Sequence, residues 1–320
     1  MNMQKLSATI FDSKLLFGGI GMLLVLLYHQ PVGDSAIGEF FYPALVGVDF
    51  LMFFSGYGLC YSYHKYPLGE FYKRRMFRIF PVWATLGFMV SFRFSDYSVW
   101  DFVCNMTGLY YYGLGGDVYE WYLAAILLFY VVFPLLYRGA KILFACNPSF
   151  VCAGILLMWF LILGLVVAFS FPWYYQAALG RLVIFFLGIL CYLNRSNFKV
   201  GLIGFSLSIL PILFLYVKGL VYRDFLVYIF APGVVAILSY LIPLIKRLDR
   251  LCGFLQFLGK YSLEIYAANV LVLVYGKVLY HGVVPVIGYW GLLAVSIPAF
   301  ILVNAVAQKL IKAYQDSLSV

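Results

Sequence analysis

The stretch LLFGGIGMLLVLLYHQ, which runs from Leu15 to Gln30, decides the fold of this chain. It is apolar except for its last two residues, His29 and Gln30, and it is interrupted by glycines. Over the whole chain 65% of residues are hydrophobic and 11% are charged, whereas soluble domains are close to half apolar and about a quarter charged. The sequence therefore predicts an all-α integral membrane protein.

The rest of the composition points to one membrane domain. No stretch of the 320 residues is both polar enough and long enough to form a separate soluble domain, so we expect a single domain over residues 1–320. The net charge of +9 indicates no nucleic-acid partner, because the Lys and Arg residues lie between apolar runs. The six cysteines show neither CxxC pairing nor zinc-ligand spacing, so we expect no metal.

The number of spans follows from the length of the apolar runs, since a helix needs about 20 residues to cross a bilayer. Ten candidates lie near 14–30, 40–63, 76–92, 119–137, 150–169, 174–193, 199–217, 223–243, 262–280 and 286–308. Alternate loops then divide the 22 Lys and Arg residues into seventeen on the side of the termini and five on the other side. This asymmetry predicts that both termini are cytoplasmic. Lys14 interrupts the first run, which favours a retained span over a cleaved signal peptide.

One histidine lies in the first span. His29 is fifteen residues beyond Lys14, which is about 22 Å at the helical rise and places it in the outer half of the membrane. Asp49, in the second-span segment GVDFLMFFSGYGL, lies at a comparable depth. An aspartate that accepts a hydrogen bond from one imidazole nitrogen leaves the other nitrogen as a base. The alternative is that the two side chains only satisfy each other or face water.

The densest positive cluster follows the second span in FYKRRMFRIFP, from Phe71 to Pro81. Arg75 and Arg78 are three residues apart, so on a helix they share one face and can bind a single phosphate group. The alternative is an anchor that contacts lipid headgroups. The arginines continue toward the apolar run, where a simple anchor would end earlier, and this favours an anion site.

Together these three segments resemble the integral-membrane acyltransferase 3 family, whose members transfer acyl groups, often acetyl, to carbohydrates. The resemblance extends to WYLAAILLFYVVFPLLY, from Trp121 to Tyr137, and to LGKYSLEIY, from Leu258 to Tyr266. The matching segments follow the family order over most of the chain. Family members have about ten spans, which agrees with the number derived from the apolar runs.

The resemblance implies roles for particular residues. His29 is expected to be the catalytic base, with Asp49 as its orienting partner, and Arg75 with Arg78 is expected to hold acetyl-CoA or another acyl-CoA. Ser55 and Tyr57 resemble the second-span signature of the family and are expected to shape the passage for the acyl donor. The residues assigned to the carbohydrate or glycolipid acceptor are Glu120, Trp121, Glu264 and Asn269.

Three positions depart from the family pattern. Gly18 replaces a cation that usually lies eleven residues before the histidine, and Lys14, one turn away, is assigned to the cofactor in its place. Ile126 replaces an acidic residue for which Glu120 is the nearest substitute. Asn269 stands where a histidine often closes the SLxIY segment. A catalytically altered family member is therefore an open alternative.

The function expected from the resemblance is O-acetylation or a related O-acylation of a polysaccharide or glycolipid in a bacterial-type inner membrane. The runner-up is a non-enzymatic membrane protein that transports lipid-linked saccharides or accompanies their polymerase. Membrane lipids are expected partners in both cases. The sequence indicates neither the acceptor sugar nor an oligomeric state.

Overall fold

The computed structural model describes residues 13–32, 35–91, 98–109, 111, 121–146, 173–193, 241–280 and 284–317, together with 158, 161–162, 164–165 and 168–169. Within these residues all regular secondary structure is helical. The helices are α1 Lys14–His29, α2 Ala36–Phe41, a 3-10 turn Tyr42–Leu45, α3 Val46–Lys65, α4 Leu68–Ser91, α5 Val99–Thr107, α6 Trp121–Cys146, α7 Trp173–Leu193, α8 Asp249–Lys260, α9 Ser262–Leu279 and α10 Val286–Ser317.

Several of these helices are long and apolar enough to cross a bilayer. In the described part of the chain they are Ala36–Lys65, Trp121–Leu143, Tyr175–Leu193 and Val286–Ser317, and Asp249–Lys260 with Ser262–Gly276 adds a fifth candidate if the pair forms one broken span. Lys14–His29 is apolar but shorter. The all-α membrane class is thus confirmed. The count of ten spans and the cytoplasmic termini stay predictions, and the spans expected at 150–169, 199–217 and 223–243 lie mostly or wholly outside the described residues.

The chain divides into two compact units. The first comprises Met1–Val25, Phe41–His64 and Ala125–Lys260, and the second comprises Leu26–Phe40, Lys65–Ala124 and Tyr261–Val320. The first helix therefore belongs to the first unit up to Val25 and to the second unit from Leu26 onward. A single membrane domain over the whole chain stays a prediction.

Glycines set the packing of α1 in the first unit. A Cβ atom on Gly19 would overlap the backbone carbonyl of Leu255 in α8, and one on Gly259 would overlap the carbonyl of Leu15. Gly21 of α1 and Gly47 of α3 approach each other in the same way. Small residues let membrane helices reach backbone contact, where van der Waals packing is the main attraction. The glycine-interrupted run at the start of the chain is therefore a helix-packing surface.

Close contacts at glycines also join α3 to α7. The backbone carbonyl of Phe185 occupies the place that a Cβ atom on Gly56 would take, and the carbonyl of Phe53 does so for Gly188. The two helices are consequently in backbone contact at two successive points. This contact fixes the middle of α3 against α7, one turn beyond the charged residues described below.

In the second unit α9 and α10 pack against each other and against α4. The short helix α5 packs on α4, and it begins with a capping box in which Ser98 and Asp101 bond each other's backbone N–H groups. This short helix lies in the loop after the third predicted span. Burial raises the pKa of the Cys104 thiol on α5, and the Asp101 carboxylate raises it further.

Candidate active site

His29 is the last residue of α1, and its side chain is half-buried. Its imidazole ring meets the ring of Tyr28 edge to face, with centroids 5.0 Å apart. The preceding turn of the helix is held by α9 and α10 of the second unit. The hydroxyl group of Tyr289 is shared between the carbonyl oxygen of Leu26, at 3.1 Å, and Oδ1 of Asn269, at 2.7 Å.

These two contacts fix the end of α1 from inside the protein. Tyr289 is 1% exposed and Asn269 is fully buried, so their hydrogen bonds form without competition from water. Asn269 was assigned to the acceptor from the sequence, and the structure brings it to the turn that carries His29. Tyr289 was missed, because a tyrosine near the start of an apolar helix gives no signal of its own.

Asp49 lies in the first turn of α3 and is fully buried in the first unit. Its Oδ1 is 3.3 Å from Nε of Arg181 on α7, and Arg181 is itself 1% exposed. Nη1 of Arg181 also donates a hydrogen bond to the carbonyl oxygen of Ala177. A buried carboxylate needs a compensating charge, so the pair explains how Asp49 is accommodated. The structure thus gives Asp49 a partner that the sequence did not predict, while its proposed action on His29 stays a prediction.

The positive cluster lies on the first half of α4. Arg74 forms an ion pair with Glu70 at 2.7 Å and covers the ring of Tyr66. Arg75 is half-buried with its guanidinium group 5.9 Å from the ring of Phe71, and Arg78 is exposed. The helix continues through both arginines, so they share a face as the sequence predicted.

A series of hydrogen-bonded polar side chains inside the second unit reaches the same part of α4. Oε1 of Glu264 on α9 accepts a hydrogen bond from the amide of Asn304 on α10, at 2.5 Å. Nε2 of Gln308 donates to Oδ1 of Asn304, at 3.4 Å, and to the backbone carbonyl of Phe77, at 2.6 Å. Phe77 lies between the two arginines. Asn304 and Gln308 thus form hydrogen bonds that join α10 to α9 and to α4.

The candidate donor-passage residues lie on α3 in the first unit. Ser55 is half-buried, and the buried ring of Tyr57 packs at 5.3 Å against the ring of Tyr192 on α7. Two turns farther along, His64 shares a hydrogen bond of 2.6 Å with the hydroxyl group of Tyr137, and its ring stacks on Tyr192. This histidine is thus part of an aromatic cluster in the first unit.

The departures from the family pattern have partial structural explanations. A Cβ atom on Gly18 would lie 3.6 Å from the Cα atom of Gly259, so this position faces the backbone of α8 at van der Waals distance. Lys14 is exposed, and its contact with the cofactor stays a prediction. Ile126 is buried, which suits an apolar side chain at that position.

Two of the remaining acceptor residues are near the start of α6. Trp121 begins that helix, and its ring meets the ring of Tyr122, which in turn packs at 4.8 Å against Tyr266 of α9. Glu120 lies outside the described residues. Among the residues that are described, no group of three His, Cys, Asp or Glu side chains is placed to hold a metal ion.

A comparison with known families identifies the chain. A family model described as an acyltransferase domain matches residues 19–306. The chain belongs to the acyltransferase 3 family. The match includes every assigned site residue except Lys14, which precedes it. No curated protein and no solved structure matches the chain. Family membership and the apolar helices together make this acyltransferase-family chain an integral membrane protein.

Proposed function

We propose that this acyltransferase moves an acyl group, in the simplest case acetyl, from acyl-CoA to a hydroxyl group of a carbohydrate or glycolipid. The observation that carries the proposal is the position of His29, which ends an apolar helix whose last turn is held by Tyr289. Ionisable side chains are rare within membrane segments and are usually functional there. The proposed setting is a bacterial-type inner membrane, where the product is an O-acetylated polysaccharide or glycolipid.

In the proposed reaction His29 acts as a general base. Its imidazole takes the proton of the acceptor hydroxyl group as the hydroxyl oxygen attacks the thioester carbonyl carbon. A carbon–oxygen bond forms, the carbon–sulfur bond breaks, and the CoA sulfur leaves with the electron pair of that bond. The imidazolium then returns its proton to the thiolate, which gives free CoA and an ester. The histidine ends the cycle in its starting form.

The arginines of α4 are proposed to bind the acyl donor. CoA carries phosphate groups, and guanidinium groups bind phosphate through two parallel charge-assisted hydrogen bonds. Arg75 and Arg78 lie on one face of α4, while the neighbouring Arg74 is engaged by Glu70. The series of hydrogen bonds from Glu264 to the Phe77 carbonyl supports the turn of α4 that carries the two arginines. Binding at α4 would leave the flexible thiol arm of CoA to reach His29.

Release of CoA from acetyl-CoA tests the proposal directly. Purified protein in lipid nanodiscs is incubated with acetyl-CoA and a panel of sugars and alkyl glycosides, and free thiol is measured together with the mass of the acceptor. We expect acceptor-dependent CoA release and an acceptor heavier by one acetyl group. A protein that binds lipid-linked saccharides but releases no CoA with any acceptor would support the transporter alternative instead.

A further inference from the structure

The second unit contains a cavity that none of the assigned roles uses. It lies between α4, α9 and α10 and has a volume of about 440 Å³. Small-molecule sites usually measure about 300–1,000 Å³, so the cavity is large enough for a ligand. Its walls include Thr85, Met89, Val272, Tyr275, Leu292 and Ser296.

The cavity presents mainly apolar walls, and two of its hydroxyl groups are bonded to the backbone. Thr85 donates its hydroxyl hydrogen to the carbonyl oxygen of Pro81 at 2.8 Å, and Tyr275 donates to the carbonyl oxygen of Met89 at 2.5 Å. Both groups are thus engaged by the backbone of α4. A sugar or a phosphate group that entered the cavity would lose hydrogen bonds to water and gain none in return. A hydrocarbon chain makes no such hydrogen bonds, so its entry carries no desolvation penalty of this kind. The lining therefore selects an alkyl chain.

The rim of the cavity includes exposed apolar side chains. Phe88, Met89 and Leu279 belong to its wall and are 56%, 40% and 59% exposed. Exposed apolar side chains on a membrane helix face the hydrocarbon of the bilayer. A hydrocarbon chain that is already dissolved in the bilayer can consequently enter the cavity laterally, from the hydrocarbon region of the bilayer.

The cavity also adjoins the residues that hold the end of α1. Val272 is one helical turn beyond Asn269 on α9, and Leu292 is one turn beyond Tyr289 on α10. Residues three apart on a helix lie on the same face. Tyr289 in turn contacts both Asn269 and the carbonyl oxygen of Leu26, which lies in the turn of α1 that ends at His29. The apolar cavity and the proposed catalytic residue are therefore linked through one buried polar junction.

We propose that this cavity binds the hydrocarbon chain of a lipid-linked acceptor and so brings the acceptor hydroxyl group to His29. The inference rests on the proposed function, and it names the acceptor as a membrane-anchored molecule rather than a free glycan. A water-soluble glycan has no group that fits the cavity. The acyl donor is held at the arginines of α4, whereas the rim opens to lipid, so the acceptor is the substrate that enters here.

Photolabelling tests this assignment without depending on catalysis. The full chain in phosphatidylcholine nanodiscs is irradiated with a glucoside whose hexadecyl chain carries a diazirine, and the labelled peptides are mapped by mass spectrometry. We expect the label on the peptides of α9 and α10 that contain Val272 and Leu292. Ser296→Trp, which fills the cavity, should lower this labelling about tenfold, the factor expected when about two methylene groups lose their burial.

The matched control is Val295→Trp, because Val295 is the neighbouring residue on α10 and is 73% exposed. This variant should label like the unchanged protein. If Ser296→Trp does not fold, the assignment is tested by the labelling of the milder Ser296→Leu variant and by the positions labelled in the unchanged protein. An unlabelled hexadecyl glucoside should compete with the probe.

Three results would overturn the assignment. Equal labelling of these peptides by a diazirine phosphatidylcholine would make the cavity an ordinary lipid-facing groove, and label spread evenly over exposed residues such as Leu302 would do the same. Labelling by a diazirine palmitoyl-CoA but not by the glucoside would assign the cavity to the donor chain. Labelling needs no turnover, so a failure to label the cavity would contradict only this inference. Unchanged transfer by His29→Ala would instead contradict the proposed mechanism.

Discussion

Arg181 places its Nε 3.3 Å from Oδ1 of Asp49, and both side chains are almost completely shielded from solvent. The two residues are fixed by the backbone contact of α3 with α7, so the pair cannot easily move apart. Removing one charge of such a pair leaves the other buried without compensation, which typically costs about 3–5 kcal/mol. The pair is therefore expected to be a structural requirement of the first unit.

The first prediction concerns this pair. Asp49→Leu and Arg181→Met should each lower the thermal midpoint of the purified protein strongly, whereas the double variant should recover most of the loss, since no charge is then left buried. Differential scanning fluorimetry in nanodiscs measures this. If the recovered double variant also transfers acetyl, Asp49 is structural; if it folds but is inactive, the predicted role of Asp49 beside His29 gains support. A single variant as stable as the unchanged protein would contradict the importance of the pair.

The second prediction concerns the arginines of α4. Arg75→Glu combined with Arg78→Glu should weaken acetyl-CoA binding at least about tenfold, because each lost charge-assisted hydrogen bond is worth about 1.5–3 kcal/mol. Titration calorimetry of the purified protein measures the affinity. Lys73→Glu is the matched control, because Lys73 is exposed and lies on another face of the same helix turn. Equal weakening by the control would indicate a general charge effect, and unchanged affinity in the double variant would favour a lipid anchor.

The third prediction concerns Glu264. Glu264→Leu removes the acceptor of the Asn304 amide and should loosen the turn of α4 that carries the arginines. We therefore expect a higher KM for acetyl-CoA with a smaller change in kcat. Glu264→Gln keeps an acceptor oxygen and should restore most of the affinity. A rise in the KM of the acceptor instead would return Glu264 to the acceptor site to which the sequence assigned it.

The membrane class and part of the site were accessible from sequence because they depend on local pattern. Apolar runs predict helices in lipid, and the spacing of Arg75 and Arg78 predicts one helical face. The hydrogen bonds of Asn304 and Gln308 follow the same logic, because a polar side chain in lipid needs a partner.

The pairing of Asp49 with Arg181 was not accessible, because the two residues are far apart in the chain and no local pattern reports which helices touch. Tyr289 was missed for a related reason, since only the fold brings its hydroxyl group to the carbonyl of Leu26. The glycine at position 18 was read as a missing cation. In the structure this glycine lies beside the backbone of α8 at Gly259, a neighbour that a sequence pattern does not reveal.

The central claim is that His29 performs the chemistry of acyl transfer without being needed for donor binding. The most direct measurement is rapid-quench transfer of radiolabelled acetyl from acetyl-CoA by the purified His29→Ala variant, together with its affinity for acetyl-CoA. His64→Ala is the control, because this histidine belongs to a separate aromatic cluster. We predict that His29→Ala binds acetyl-CoA normally and loses transfer by at least about a hundredfold, the range of general-base catalysis. Transfer by His29→Ala at the rate of the unchanged protein would contradict the account.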